Sequence, residues 1–402
     1  MKRRNFLAST LAAVISAPVV RSAQKQRRIL LRSSWQTVNI GDIAHTPSML
    51  ALLEKYRPDD EVTLWPNPLN PEVEHLLTAR FPKLRIAKTK AEQDAALEAC
   101  DFFLHGSGPG LVGRNEAERA RKAGKPYGFA GITLSDDELK ANRELLGGAK
   151  FVFTRDGDSL NALRKADIKG PKTEFGPDAT FALDLRDDDA AGKLLKEHDL
   201  VEGEFLCAIP RLRWTPYWEI HPETVKPNPE RSAANEAFAD RDHAKLREAI
   251  VAWVTETKQR VFLVPEMTYE VARLRPLLYD PLPAVVKPSV AVLDRYWLTA
   301  EAASVYARAA AVVSFEMHSP IMAVAAGTPA ILLRQPTDTR KGQMWRDVGL
   351  ESWIFEIEDS TGKDIAARVV EIGKNLPSAR KTAEKARSVA RERMAAMVAE
   401  IG

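Results

Sequence analysis

The stretch Ala311–Arg334, AVVSFEMHSPIMAVAAGTPAILLR, decides the fold class. It reads as a short apolar strand, a histidine at that strand's C-terminal end, a helix of small residues, a Gly-Thr-Pro break and a second apolar strand. Strand–helix–strand units of this length build parallel sheets. In open α/β sheets, ligands bind beyond the carboxyl ends of strands, close to helix N-termini. His318 stands at such a place. Glu316 lies two residues earlier, and on a continuous strand the two side chains would share a face. A carboxylate beside the imidazole would raise it toward neutral pH and suit the pair to acid–base work. Metal ligation is not expected, because no second histidine lies at helical spacing from His318 and the others are scattered.

The same alternation continues on both sides. Strands are predicted over 28–33, 61–65, 84–87, 101–105, 126–130, 150–154 and 172–175, and again over 205–210 and 260–265. Helices are predicted over 47–56, 71–81, 115–123, 159–165, 231–257, 269–278 and 299–309, with one or two charged helices over 363–401. The polar run 184–203, acidic at Asp187-Asp188-Asp189, marks a boundary between an N-terminal domain over 24–190 and a C-terminal domain over 200–402. A chain of 402 residues exceeds one ordinary core, so two domains are expected. The expected architecture is α/β, with strand ends of the two domains meeting across a cleft.

Composition excludes several classes. With 45% hydrophobic and 28% charged residues the chain is globular rather than disordered. Net charge is +3, and apart from scattered basic residues in the last helix no Lys/Arg stripe forms, so no nucleic-acid partner is expected. Cys100 and Cys207 sit in or beside apolar runs, which speaks for buried thiols and against a disulfide framework. The first 23 residues form a different kind of segment. Lys2-Arg3-Arg4-Asn5-Phe6-Leu7 opens an apolar stretch that reaches Val20, with Ser22 and Ala23 after it. That is the pattern of a twin-arginine export signal, so the periplasm or cell envelope is the expected location. The stretch is short and holds Pro18, so it does not suit a membrane span, and no later run is long enough for one.

Several loops at strand ends carry chemistry. Asn39-Ile40-Gly41-Asp42 follows the first strand, and Asp42 either caps the next helix or faces the cleft. Gly106-Ser107-Gly108-Pro109-Gly110 is a small-residue loop whose backbone N–H groups can approach an anion or a sugar. In Thr154-Arg155-Asp156-Gly157-Asp158-Ser159, Arg155 suits a carboxylate or phosphate, Asp156 can orient it, and Asp158 or Ser159 can cap the helix. Trp214, Tyr217 and Trp218 lie in a Pro-rich loop where aromatic rings can stack on sugars. The candidate catalytic set is His318, Glu316 and Asp42. The candidate substrate-binding set is Arg155, Asn39, Gly106, Ser107, Gly108 and Arg334.

Asn39–Asp42, Gly106–Gly110, Arg155-Asp156 with Ser159, Gly176-Pro177-Asp178-Ala179-Thr180-Phe181, and His318 with Gly327-Thr328-Pro329 occur in one order across nearly the whole chain. In that ordered set the sequence resembles the polysaccharide pyruvyltransferase family. The resemblance implies two Rossmann-like domains in the glycosyltransferase-B arrangement. It also implies transfer of a pyruvyl group from phosphoenolpyruvate to a sugar, giving a ketal, with no cofactor. Arg155 would then bind the donor's carboxylate or phosphate, and His318 would act in proton transfer or phosphate binding. One position departs from the pattern: Glu316 stands where the family usually has Arg. Reversing one charge at about 4 Å changes its interaction with an anion by roughly 8 kcal/mol before screening, at an effective dielectric of about 20. Two other readings follow from that departure. One is an exported family member that binds or modifies envelope glycan without phosphoenolpyruvate. The other is a glycoside hydrolase using carboxylates such as Asp42 and Glu316.

Overall fold

The computed structural model describes residues 26–33, 37–67 and 69–402. The twin-arginine segment lies outside the described residues. Fourteen strands make two sheets. The first sheet holds β1 (Arg28–Arg32), β2 (Glu61–Trp65), β3 (Arg85–Ile86), β4 (Phe102–His105), β5 (Gly108–Pro109), β6 (Tyr127–Thr133), β7 (Phe151–Thr154) and β8 (Lys172–Phe175). Their order is β3-β2-β1-β4-β6-β7-β8, with β5 paired to β6. The second sheet holds β9 (Phe205–Ile209), β10 (Arg260–Leu263), β11 (Val290–Val292), β12 (Ala311–Ser314), β13 (Ala330–Arg334) and β14 (Ile354–Glu356), in the order β11-β10-β9-β12-β13-β14. Neighbouring strands are parallel in both sheets.

Parallel strands covered by helices on both faces need continuous apolar runs. FFLH in β4, FLCAI in β9 and AVVS in β12 are buried along their whole lengths. The strand order reverses between β1 and β4 in one sheet and between β9 and β12 in the other. These are the switch points where open α/β sheets leave a crevice. One apolar cluster runs through both domains and includes Ile43, Leu53, Phe181, Ala323 and Met394. A second one, with Leu30, Phe103, Phe129 and Leu146, fills the other face of the first sheet.

One expectation changes here, and two regions gain detail. The helix predicted from Pro47 begins seven residues earlier and runs Ile40–Tyr56, with Pro47 inside its buried N-terminal half. Asn39 supplies the cap that starts it, so Gly41 and Asp42 belong to the first turn rather than to a loop. The polar run 184–203 contains the helix Asp188–Glu197, capped by Asp187 and burying Ala191, Leu194 and Leu195. It packs on the helix Thr299–Arg308 through Asp187, whose N–H reaches Ser304 Oγ at 2.9 Å. The long charged C-terminal region makes two helices, Gly362–Lys374 and Leu376–Ala399. The second of these packs back on Ile40–Tyr56, joining the C-terminal end of the chain to the N-terminal domain. Both cysteines are free and buried. No helix among the described residues is long and apolar enough to cross a membrane.

Candidate functional site

The two switch points meet in one seam, and the backbone sews it. Asn39 and Met267 form an antiparallel bridge. Ile40 N–H donates to the Glu266 carbonyl at 3.1 Å, and Thr268 N–H donates to the Val38 carbonyl at 3.0 Å. Thr299 Oγ donates to the Ile40 carbonyl at 2.7 Å. The first turn of Ile40–Tyr56 therefore lies directly against the ends of β10 and β12. A Cβ on Gly41 would overlap the His318 imidazole, so only glycine allows this approach.

Asn39 Oδ1 accepts from Gly41 N–H at 2.7 Å and from Asp42 N–H at 3.2 Å. With the cap supplied by Asn39, the Asp42 carboxylate is left for the seam. Asp42 and His45 are three residues apart and share a helix face. Asp42, His45 and His318 bring one ligand atom each to within 4.8 Å of one another. The His45 and His318 rings meet edge to face at a centroid distance of 5.1 Å.

Each imidazole is held from behind by a carboxylate. His45 Nδ1 lies 3.1 Å from Asp178 Oδ1 and 2.7 Å from Ser107 Oγ. Asp178 also receives Arg155 at 2.5 Å and the N–H and hydroxyl of Thr180 at 3.0 and 2.8 Å. Burial alone would raise the Asp178 carboxyl, but His45 and Arg155 hold it well below its usual range. His318 Nδ1 lies 3.1 Å from Glu266 Oε1. Glu266 Oε2 accepts the N–H and hydroxyl of Ser319 at 2.7 and 2.8 Å, at the start of the helix His318–Ala325. Burial would lower the His318 imidazole, yet the Glu266 carboxylate outweighs it and the group titrates above its usual value. Burial lowers His45 below its usual value, and Asp178 does not restore it. Nε2 of both rings is buried without a hydrogen-bond partner.

The sequence-predicted residues fall into two groups. Asp42, Asn39, Ser107 and His318 come together at the seam. Ser107 does so through its hydroxyl, not through backbone N–H groups around an anion. Gly108 is part of β5, paired with Ile132, and Gly106 lies close against Ser33. Arg155 is connected to His45 through Asp178, but it is fully buried and already bound to Asp178 and to Thr133 at 2.8 Å. Its expected role as a clamp on the donor is thus corrected to a structural one. Asp156 caps its own helix through Ser159 N–H at 2.7 Å, and its other oxygen accepts the Thr133 hydroxyl at 2.9 Å, so it orients Arg155 only through Thr133. Glu316 is not the carboxylate on His318. The strand β12 stops at Ser314, so the two-residue face relation never forms. Glu316 turns to Arg211, 3.0 Å away, and Arg211 also pairs with Asp338. Burial pushes the Glu316 carboxyl up against the pull of Arg211. Arg334 is turned to Glu356 at 3.1 Å and lies outside the seam. Trp214 stacks on the Arg231 guanidinium at 4.3 Å.

Sequence reasoning missed Glu266 and His45. Glu266 follows β10 just as His318 follows β12, so the same strand-end rule marks it. The second histidine comes from the other domain, which no spacing in the sequence displays. A cleft of about 800 Å³ along the seam is lined by Glu72, Arg80, Asp184, Arg295 and Tyr296 among others, and holds none of the predicted site residues. The Tyr296 hydroxyl is buried without a hydrogen-bond partner. Burial raises this hydroxyl well above its usual range, and the Glu266 and Asp42 carboxylates add to the shift.

Two doubly wound parallel domains with opposed switch points define the glycosyltransferase-B arrangement. Solved structures agree. Anabaena Alr3699/HepE, in complex with UDP and glucose, matches with a TM-score of 0.56 at 12% identity, over 93% of this chain and 99% of that one. The UDP-GlcNAc 2-epimerase of Neisseria meningitidis, bound to UDP-GlcNAc, matches with a TM-score of 0.57 at 12% identity, again over 93% and 99%. At these identities the likeness is one of fold. No curated protein matches the chain. The sequence model of the polysaccharide pyruvyl transferase family matches residues 39–335, and the chain belongs to that family.

Proposed function

We propose that the protein transfers a pyruvyl group from phosphoenolpyruvate to two hydroxyls of a sugar in a cell-envelope glycan. Family membership supports the reaction class. The observation that carries the reading is the His318–Glu266 pair, an imidazole whose hold on a proton is strengthened by a buried carboxylate, with its Nε2 unpartnered in the seam. The His318 imidazolium donates its proton to the methylene carbon of the donor, which becomes a methyl group. A sugar hydroxyl oxygen bonds to the neighbouring carbon, and its proton passes to Asp42 and back to His318. A second hydroxyl oxygen then takes the place of the phosphate, and its proton leaves with the phosphate. Lys341 acts electrostatically on both His318 and Glu316 and carries no ion pair among the described residues, so it is the cation available to the donor. Titrating the purified chain with phosphoenolpyruvate in a calorimeter tests the donor. Phosphate release with a new ketal methyl signal on envelope glycan tests the reaction.

A second reading is favoured by Glu316. This carboxylate sits where the resemblance expects a cation, and Arg211 and Asp338 surround it. In that reading the protein binds or modifies glycan without phosphoenolpyruvate. Absence of heat in the same titration, with retained glycan binding, selects it. Export by the twin-arginine route belongs to both readings. Replacing Arg3 and Arg4 by Lys should leave an uncleaved precursor in the cytoplasm.

A further inference from the structure

We infer that Asp42, His45 and His318 form a binding site for one divalent transition-metal ion of the zinc type, closed across the two domains. The donor set is one carboxylate and two imidazoles, the composition of zinc sites that keep a position open for water or substrate. Three independent observations point to a cation there.

The first is the pair of orphan nitrogens. Nε2 of His45 and Nε2 of His318 are both buried without a partner. A buried polar atom left unpaired costs free energy, and two of them at one seam call for a common partner. The second is the support behind them. Each ring gives its Nδ1 side to a carboxylate at 3.1 Å, Asp178 for His45 and Glu266 for His318. A carboxylate on Nδ1 favours the tautomer with the lone pair on Nε2, as in carboxylate–histidine–metal triads, with Ser107 Oγ sharing Nδ1 of His45 at 2.7 Å. The third is charge. Arg155 already matches Asp178, and Arg211 already faces Glu316. Asp42 and Glu266 are the two carboxylates of the seam that pair with no Lys or Arg among the described residues, and a divalent cation matches them. The three ligand atoms lie within 4.8 Å of one another. A tetrahedral ion with bonds of about 2.0–2.1 Å places donors about 3.3 Å apart, so the seam closes by at most about 1.5 Å.

The site goes beyond pyruvyl transfer and stands without it. Metal and proton compete for Nε2 of His318, so a loaded site exchanges the imidazolium for a metal-bound water.

The experiment is zinc titration of the full chain, after chelator treatment and with no donor or sugar present. One zinc per chain is expected, with a rise in melting temperature. Asp42→Ala and His318→Gln should each weaken binding at least tenfold. Glu266→Gln, which touches no metal, should weaken it by about 10- to 100-fold. Melting curves of the unloaded variants show whether they fold. If they do not, X-ray absorption of the zinc-loaded wild type decides, with two imidazoles and a carboxylate oxygen expected around the ion. Absence of zinc binding overturns the proposal. So does binding that is unchanged in Asp42→Ala and His318→Gln, or a ligand shell without imidazole. Failure of the zinc titration leaves the donor titration standing, and failure of the donor titration leaves the zinc site standing.

Discussion

His45 and His318 are both buried, both meet a buried carboxylate at 3.1 Å, and lie edge to face at 5.1 Å, yet they shift in opposite directions. The difference lies in what else each carboxylate holds. Asp178 is bound by a guanidinium at 2.5 Å, so much of its charge is already answered and burial of His45 wins. Among the described residues the Glu266 carboxylate has only Ser319 besides the histidine, and a neutral hydroxyl and a peptide N–H leave its charge to His318. A charge pair is therefore judged by the whole set of contacts around the acid, not by one distance.

The sharpest way to break the comparison is Glu266→Gln. It keeps the shape and removes the charge, so His318 should lose its elevated titration. Under the proposed reaction the rate on glycan should fall by about 10²- to 10⁴-fold. A rate unchanged in this variant would remove His318 as the proton donor. Arg155→Met works from the other side. It hands the Asp178 charge to His45, whose nitrogen NMR titration should move upward. Stability should fall by about 3–5 kcal/mol, because a buried acid has lost its main partner. A titration of His45 that stays in place would show that Arg155 is not what separates the two histidines.

His105 and His243 extend the series to imidazoles with peptide partners only. His105 lies 2.8 Å from the Gly106 carbonyl through Nδ1 and accepts from Gly113 N–H through Nε2 at 3.0 Å. His243 repeats the arrangement with the Ala239 carbonyl at 2.6 Å and Arg211 N–H at 3.3 Å. Burial lowers both from 6.5 to about 4. Between those values the unfolded chain binds protons that the folded one refuses. Stability should therefore fall as pH drops from about 6.5 toward 4, by up to about 3 kcal/mol for each group. His318 works in the opposite sense: its contribution is complete below its ordinary 6.5 and fades as pH rises through its elevated value. Urea unfolding across this range, with His105→Asn and His243→Asn, should show the acid slope flatten. The smallest expected effect is Gly41→Ala, at about 1–3 kcal/mol. Its Cβ must displace the His318 ring, so the loss of activity should exceed the loss of stability, read by assay and melting curve on one preparation.

The sequence carried the sheets well, because strands buried on both faces must be apolar without interruption, as in β4, β9 and β12. Strand-end logic also found His318 and Asp42. It went astray where a local pattern competed with packing. Pro47 looked like a helix start, but its place inside the buried half of Ile40–Tyr56 is set by contacts with the other domain. The acidic run at Asp187-Asp188-Asp189 looked only like a boundary, and it also carries structure of its own, since acids at a helix N-terminus complement the dipole and start Asp188–Glu197. Glu316 looked like the partner of His318 because the strand was read four residues too far, to His318 instead of Ser314. Glu266 and His45 become visible only when two switch points are brought together, and that is a tertiary fact.

The helix Leu376–Ala399 buries Met394, Met397 and Val398 and packs on Ile40–Tyr56 and on His318–Ala325. During translation, β8 is finished roughly 200 residues before this helix begins. At about 5–20 residues per second, the nascent chain spends on the order of 10–40 s with that apolar seat uncovered. A ribosome-bound chain halted before Leu376 has every strand of both sheets and the backbone bridge of the seam but not the helix that covers this apolar seat, so it is the species on which holding chaperones and proteases should act.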